Sequence, residues 1–127
     1  MRKRILIVDD ELLVTKYLKA RLKKEDFAVD IATDGQEALK KAKGRKFDLI
    51  LTDLMIPNVA GRELIMQIQE SALNAETPII VLSALSSDEL IVDVLAAGVK
   101  DYIVKPFSVN VIVAKIKQFL QLSLKVA

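Results

Sequence analysis

Apolar residues recur along this chain in two alternating rhythms. Three short runs, Ile5-Leu6-Ile7-Val8, Leu49-Ile50-Leu51 and Ile79-Ile80-Val81-Leu82, are apolar at every position. An extended chain with that pattern is hydrophobic on both faces, as a strand buried inside a parallel sheet must be. Between the runs the apolar positions fall at helical spacing: Leu13, Val14, Tyr17, Leu18 and Leu22; then Leu64, Ile65, Ile68 and Ala72; then Ile91, Val94 and Leu95; and finally Ile112, Ile116, Phe119 and Leu120. In chain order the pattern predicts β1 over 4–9, α1 over 11–24, β2 over 28–32, α2 from an Asp34 cap to near Gly44 and β3 around 47–53. It continues with α3 over 61–73, β4 over 78–82, α4 from a Ser86-Ser87-Asp88-Glu89 capping box to Gly98, β5 over 102–104 and α5 after a Ser108 cap. Residues 28–32 alternate in polarity, which suits an edge strand. Five successive βα units predict a doubly wound α/β fold, because parallel strands need crossover helices on both faces of the sheet.

Composition narrows the chemistry. At 127 residues the chain is sized for one domain, 1–127, with a core that needs no staples. It contains neither cysteine nor histidine. Disulfides, thiolate metal sites and imidazole bases are therefore excluded, and carboxylates, hydroxyls, lysines and main chain are left to do any chemistry. Nineteen basic residues against seventeen acidic ones give a net charge of +2, too balanced to point to direct nucleic-acid contact. The opening Met1-Arg2-Lys3-Arg4 precedes an apolar run too short for a signal peptide, and no run approaches a membrane span; a cytoplasmic protein is expected.

The predicted strands deliver polar groups at one edge of the sheet. β1 ends in Asp9-Asp10, β3 in Asp53, β4 in Ser83 and β5 in Lys105. In open α/β sheets that edge is the ligand crevice. With strand order 2-1-3-4-5, β1 and β3 are neighbours and three carboxylates crowd one pocket, a costly arrangement unless a cation sits there. Mg²⁺ prefers such a donor set of carboxylates, a main-chain carbonyl and waters. Lys105 and the Ser83 hydroxyl complete a clamp for an anion, and Asp53 is placed to be a phosphoryl acceptor. Each residue also has a plainer reading: Asp53 as a turn cap, Asp9-Asp10 as acids at the start of α1, Ser83 as a loop hydroxyl, Lys105 as a solvated lysine, Tyr102 as edge-strand packing.

Taken together, Asp9-Asp10, Asp53-Leu54-Met55-Ile56-Pro57 with Gly61, Ser83-Ala84, and Tyr102 with Lys105-Pro106-Phe107 closely resemble the receiver domain of two-component response regulators, over essentially the whole chain. The resemblance implies a flavodoxin-like three-layer sandwich and a phosphorylation-dependent signalling switch rather than an enzyme in its own right. It implies that Asp53 takes a phosphoryl group from a phosphohistidine on a sensor histidine kinase or phosphotransfer protein. Mg²⁺ would be held by Asp10, Asp53 and the Met55 carbonyl, with Asp9 acting through water. Ser83, Lys105 and the Ala84 main chain would bind phosphoryl oxygens, Ser83 and Tyr102 would form the switch, and a cis bond before Pro106 would turn Lys105 toward Asp53. Two positions depart from the family: Ala60 stands where an acid is frequent, and Lys100-Asp101 replaces a frequent acidic pair.

Other uses of an aspartyl phosphate fit less well. A haloacid-dehalogenase-type phosphatase carries its nucleophile after the first strand, and Asp9-Asp10-Glu11-Leu12 lacks the accompanying hydroxyl. A flavin-binding protein wants a hydroxyl- and glycine-rich loop after β1, which is absent. A binding-only receiver would not need the full acidic set. The apolar content is high, at 52% with a mean hydropathy of +0.32, so part of it is expected outside. Leu90, Val109, Val111 and Val113 are the expected surface on α4, β5 and α5, with Ile91 and Leu95 in the core, as a face for a downstream partner, an output domain or phosphorylation-dependent self-association.

Overall fold

The computed structural model describes residues 2–122. The three continuous apolar runs become the inner strands: β1 (Arg4–Val8), β3 (Leu49–Thr52) and β4 (Ile79–Ser83). The more polar β2 (Ala28–Ala32) and β5 (Asp101–Val104) flank them in a parallel sheet of order β2-β1-β3-β4-β5. That placement follows from burial, since an edge strand keeps one side toward water while an inner strand is covered on both faces. Val8 pairs with Thr52, so β1 and β3 finish level, and Ser83 pairs with Val104 on the other flank.

Strand alternation divides the core in two. Leu6, Val8, Ile50, Ile79 and Val81 point to a face covered by α2 (Gly35–Gly44), α3 (Gly61–Gln69) and α4 (Asp88–Ala96). Ile5, Ile7, Leu49, Leu51, Ile80 and Leu82 point to the face covered by α1 (Leu12–Lys24) and α5 (Val109–Phe119). The result is the doubly wound, three-layer arrangement expected from the sequence.

Helix ends follow their local chemistry. The Asp34 carboxylate accepts the Glu37 amide at 2.8 Å, and Glu37 reaches back to the Thr33 amide at 2.7 Å, together fixing the start of α2. Ser108 caps α5 by accepting the Val111 amide, and Gly98 takes φ +103° after α4, as its position predicted.

Several sequence expectations are corrected. The cap of α4 is Ser87, which accepts the Leu90 amide at 3.2 Å, and not Ser86; with the cap one residue later, Glu89 is no longer placed to return a bond. α3 ends at Gln69 instead of Leu73, because the Ser71 hydroxyl and amide both bond to the Ile68 carbonyl and turn the chain; Ala72 is exposed. On α4, Val94 is buried and Leu90, expected at the surface, packs partly buried against the same core, while Leu95 is exposed and not core. On α5, Val113 is 5% exposed and belongs to the core, and Val109, also expected at the surface, packs partly buried against it, leaving Val111 at the surface. α1 likewise shows Leu13 and Tyr17 to solvent beside its buried Leu18 and Leu22.

Sequence periodicity also missed Asn74, which is fully buried. Its side chain accepts the Phe47 amide at 2.8 Å and the Thr77 hydroxyl at 2.9 Å, and donates to the Ala42 and Arg45 carbonyls at 2.6 and 2.8 Å. It thus ties the end of α2 to the entrance of β3.

Candidate functional site

The site is built where the inner strands stop. The Asp53 amide donates to the Val8 carbonyl at 2.9 Å, extending the β1–β3 ladder by one residue and placing Asp53 beside Asp9. The Lys105 amide donates to the Ser83 carbonyl at 2.8 Å and extends the β4–β5 ladder in the same way. The Lys105–Pro106 peptide bond is cis. The Lys105 ammonium reaches across to this corner of the sheet, donating to Asp9 at 2.8 Å, Glu11 at 2.7 Å and Asp53 at 3.0 Å.

Charge and burial are matched here. Asp9 and Asp53 are almost wholly buried, and an unpaired buried carboxylate is expensive, so the ammonium is what allows both to be there. Burial pushes the Asp9 carboxyl above its ordinary value and the nearby Asp53 charge adds to this, with the bonds from Lys105 and the Glu11 amide only partly offsetting them. For Lys105, burial alone would lower the pKa, but hydrogen bonds to three carboxylates outweigh it and hold the ammonium well above the usual lysine range. Lys105 is therefore a fixed cation at neutral pH.

The β3–α3 loop closes over Asp53. The Met55 amide donates to one Asp53 oxygen at 3.0 Å, while Lys105 takes the other. On the opposite flank Ser83 is fully buried, and its hydroxyl accepts the Leu85 amide at 3.3 Å. The Tyr102 hydroxyl donates to the Leu85 carbonyl at 2.6 Å. Leu85 thus sits between Ser83 and Tyr102, joined to each. Burial and the Asp53 charge raise the Tyr102 phenol, partly offset by Ser83.

Of the residues singled out from sequence, Asp9, Asp53 and Lys105 converge, and Ser83 and Tyr102 are joined through Leu85. Asp10 is exposed, and it lies outside the group of carboxylates that come together; Ala84 is exposed at the start of the following loop. Glu11 takes part in its place: ligand oxygens of Asp9, Glu11 and Asp53 lie within 4.8 Å of one another. Glu11 carries no role in the sequence reading, where its only signal is its place in the acidic run Asp9-Asp10-Glu11. The donor set is all oxygen, carboxylate and acceptor-only, which suits a hard divalent cation such as Mg²⁺ better than a softer metal.

The comparisons agree with this architecture. The family model described as the response regulator receiver domain matches residues 5–117. The response regulator ArlR of Staphylococcus saprophyticus is 42% identical over 118 residues, 93% of this chain and 52% of that protein. The chain spans about half the length of the curated relatives it matches. Among solved structures, the CheY-like response regulator receiver domain protein from Methanospirillum hungatei superposes with a TM-score of 0.89 at 34% identity, covering 95% of each chain. The receiver domain of the sensor histidine kinase PA1611 from Pseudomonas aeruginosa, with a magnesium ion coordinated in its active site cleft, gives a TM-score of 0.86 at 26% identity, covering 95% of this chain and 99% of that one. With a family match over nearly its full length and the same fold in these neighbours, the chain belongs to the response regulator receiver domain family.

Proposed function

We propose that this chain is a phosphorylation-dependent switch in which Asp53 accepts a phosphoryl group from a phosphohistidine on a sensor histidine kinase or phosphotransfer protein. The observation that carries this reading is the Lys105 ammonium, buried against both Asp9 and Asp53 at the exit of the inner strands. An Asp53 carboxylate oxygen attacks phosphorus, and the new O–P bond forms as the N–P bond of the donor breaks, its electron pair leaving with the imidazole nitrogen. Such transfer is chiefly positioning and charge neutralisation. Lys105 supplies one fixed positive charge, and the Ser83 hydroxyl and Ala84 amide donate to phosphoryl oxygens. Asp53 and the Met55 carbonyl would hold Mg²⁺ together with Asp10, whose exposed carboxylate would turn in toward the cluster, and Asp9 would act through water; the bound ion would supply further neutralisation of the phosphoryl charge. The magnesium ion in the PA1611 receiver domain supports this assignment.

The switch follows from the Leu85 link. Ser83 now accepts from the Leu85 amide; once its hydroxyl turns to a phosphoryl oxygen, Leu85 is released and with it the carbonyl that holds Tyr102. Tyr102 then changes its seat, and the exposed apolar residues Val92, Leu95, Val104 and Val111 on α4, β5 and α5 present a different surface to a downstream partner, an output domain or a second copy.

Intact-mass measurement after incubation with a small phosphodonor tests the reading. One added phosphoryl group is expected with Mg²⁺, and none in excess chelator. An equal adduct in chelator would overturn the metal-assisted mechanism.

A further inference from the structure

The β3–α3 loop that carries Met55 is held from outside by α2. Pro57 and Asn58 form a tight reversal: the Val59 amide donates to the Pro57 carbonyl at 3.0 Å across Asn58, whose φ is +75°. Three-residue turns of this hand are rare and strained, and they persist only where surrounding structure holds them. Here the holder is the first residue of α2. The Gly35 amide donates to the same Pro57 carbonyl at 2.9 Å, spending one of the unsatisfied N–H groups of the helix start on the loop.

That contact requires glycine. A Cβ on Gly35 would lie 2.4 Å from Val59 Cβ and 3.1 Å from Val59 Cα, so the loop, and not merely a side-chain tip, would have to move. At the other end of the loop, Gly61 admits the Leu54 backbone, where a Cβ would lie 2.5 Å from Leu54 Cα. Leu54 to Ala60 is thus clasped between two glycines, and Met55 lies inside the clasp. Gly44, at the far end of α2, has no atom of the described residues within 4 Å of its Cβ position, its own helix backbone aside, and serves as a built-in control.

We propose that Gly35 is a positioning residue for Mg²⁺ binding, setting the β3–α3 loop, and with it Met55, against Asp53. This rests on the reading that Mg²⁺ binds at Asp53 and Met55. A group hydrogen-bonded to a metal ligand typically changes affinity by about 10- to 100-fold when altered; Gly35 acts one contact further out, through Pro57 and Val59, so a loss at the lower end of that range is expected.

The test is Mg²⁺ titration of metal-free protein followed by amide chemical shifts. In the wild type, Asp53 and Met55 amides are expected to move; if they do not, the metal reading fails and this inference with it. Gly35→Ala is expected to weaken Mg²⁺ binding by roughly tenfold or more, whereas Gly44→Ala binds as wild type. In a Val59→Gly background, which removes the Cβ at 2.4 Å but leaves the Cα at 3.1 Å, the Gly35→Ala penalty is expected to shrink without vanishing. If Gly35→Ala does not fold alone, Gly35→Ala/Val59→Gly against Val59→Gly carries the test: the remaining 3.1 Å approach to Val59 Cα is expected to leave Mg²⁺ binding weaker in the double variant, and equal affinities would overturn the proposal. Wild-type affinity in folded Gly35→Ala, an equal loss in Gly44→Ala, or an undiminished penalty in the Val59→Gly background would overturn the proposal while leaving the metal reading intact.

Discussion

Removing the Lys105 ammonium would leave Asp9 and Asp53, both nearly buried, facing each other and Glu11 across a pocket with no cation. Lys105→Met is therefore expected to destabilise the metal-free protein by on the order of 3 kcal/mol, the scale of breaking a buried pair from one side. Urea unfolding measures it, and Mg²⁺ should recover a larger share of stability in the variant than it adds to wild type. Asp10 behaves differently, being exposed and outside the cluster. Asp10→Asn should leave metal-free stability within about 0.5 kcal/mol of wild type, while weakening Mg²⁺ binding if Asp10 turns in to hold the ion; unchanged Mg²⁺ affinity would remove it from the ligand set. At this scale the residue types were legible in the sequence, since strand ends that carry Asp9, Asp53, Ser83 and Lys105 meet in space once the strand order is known. Which acid of the Asp9-Asp10-Glu11 run points inward was not legible, because that depends on how the chain leaves β1 and enters α1.

Among elements, hydrophobic period identified the three inner strands and four of the helices, with α2 found from its Asp34 cap, and it failed where a polar residue made the decision. Ser87 rather than Ser86 caps α4 because both offer a hydroxyl and only the backbone selects between them. Ser71 ends α3 early, and Asn74 then binds two carbonyls at the end of α2, the Phe47 amide and the Thr77 hydroxyl. No periodicity reports such a residue, because its partners are distant in sequence. Asn74→Ala would orphan several buried groups at once, each costing about 1–3 kcal/mol, and is expected to lower the thermal midpoint sharply. Asn74 lies at the entrance of β3 and Asp53 at its exit, so the folded fraction of the variant should still bind Mg²⁺ with wild-type affinity. Loss of affinity in protein shown to be folded would mean that the two ends of β3 are coupled.

For the molecule as a whole, the sheet sets a packed core against one polar edge, and under the proposed function the helices would carry that edge's state to the outside. The doubly wound topology was legible because three strands are apolar on both faces and two are not. The surface was less legible, since period alone could not tell that Val113 closes the α5 core while Val111 faces solvent. Val113→Lys should therefore unfold the protein, a buried unpaired charge being intolerable. Val111→Lys should fold normally and weaken any phosphorylation-dependent association seen by sedimentation. All of this depends on where the phosphoryl group goes. Reducing the phosphorylated protein with borohydride converts an acyl phosphate to the corresponding alcohol, and peptide mass mapping then finds its position. The account predicts homoserine at position 53 alone, with none in Asp53→Asn; modification at Asp9, Asp10 or Glu11 with Asp53 untouched would contradict it.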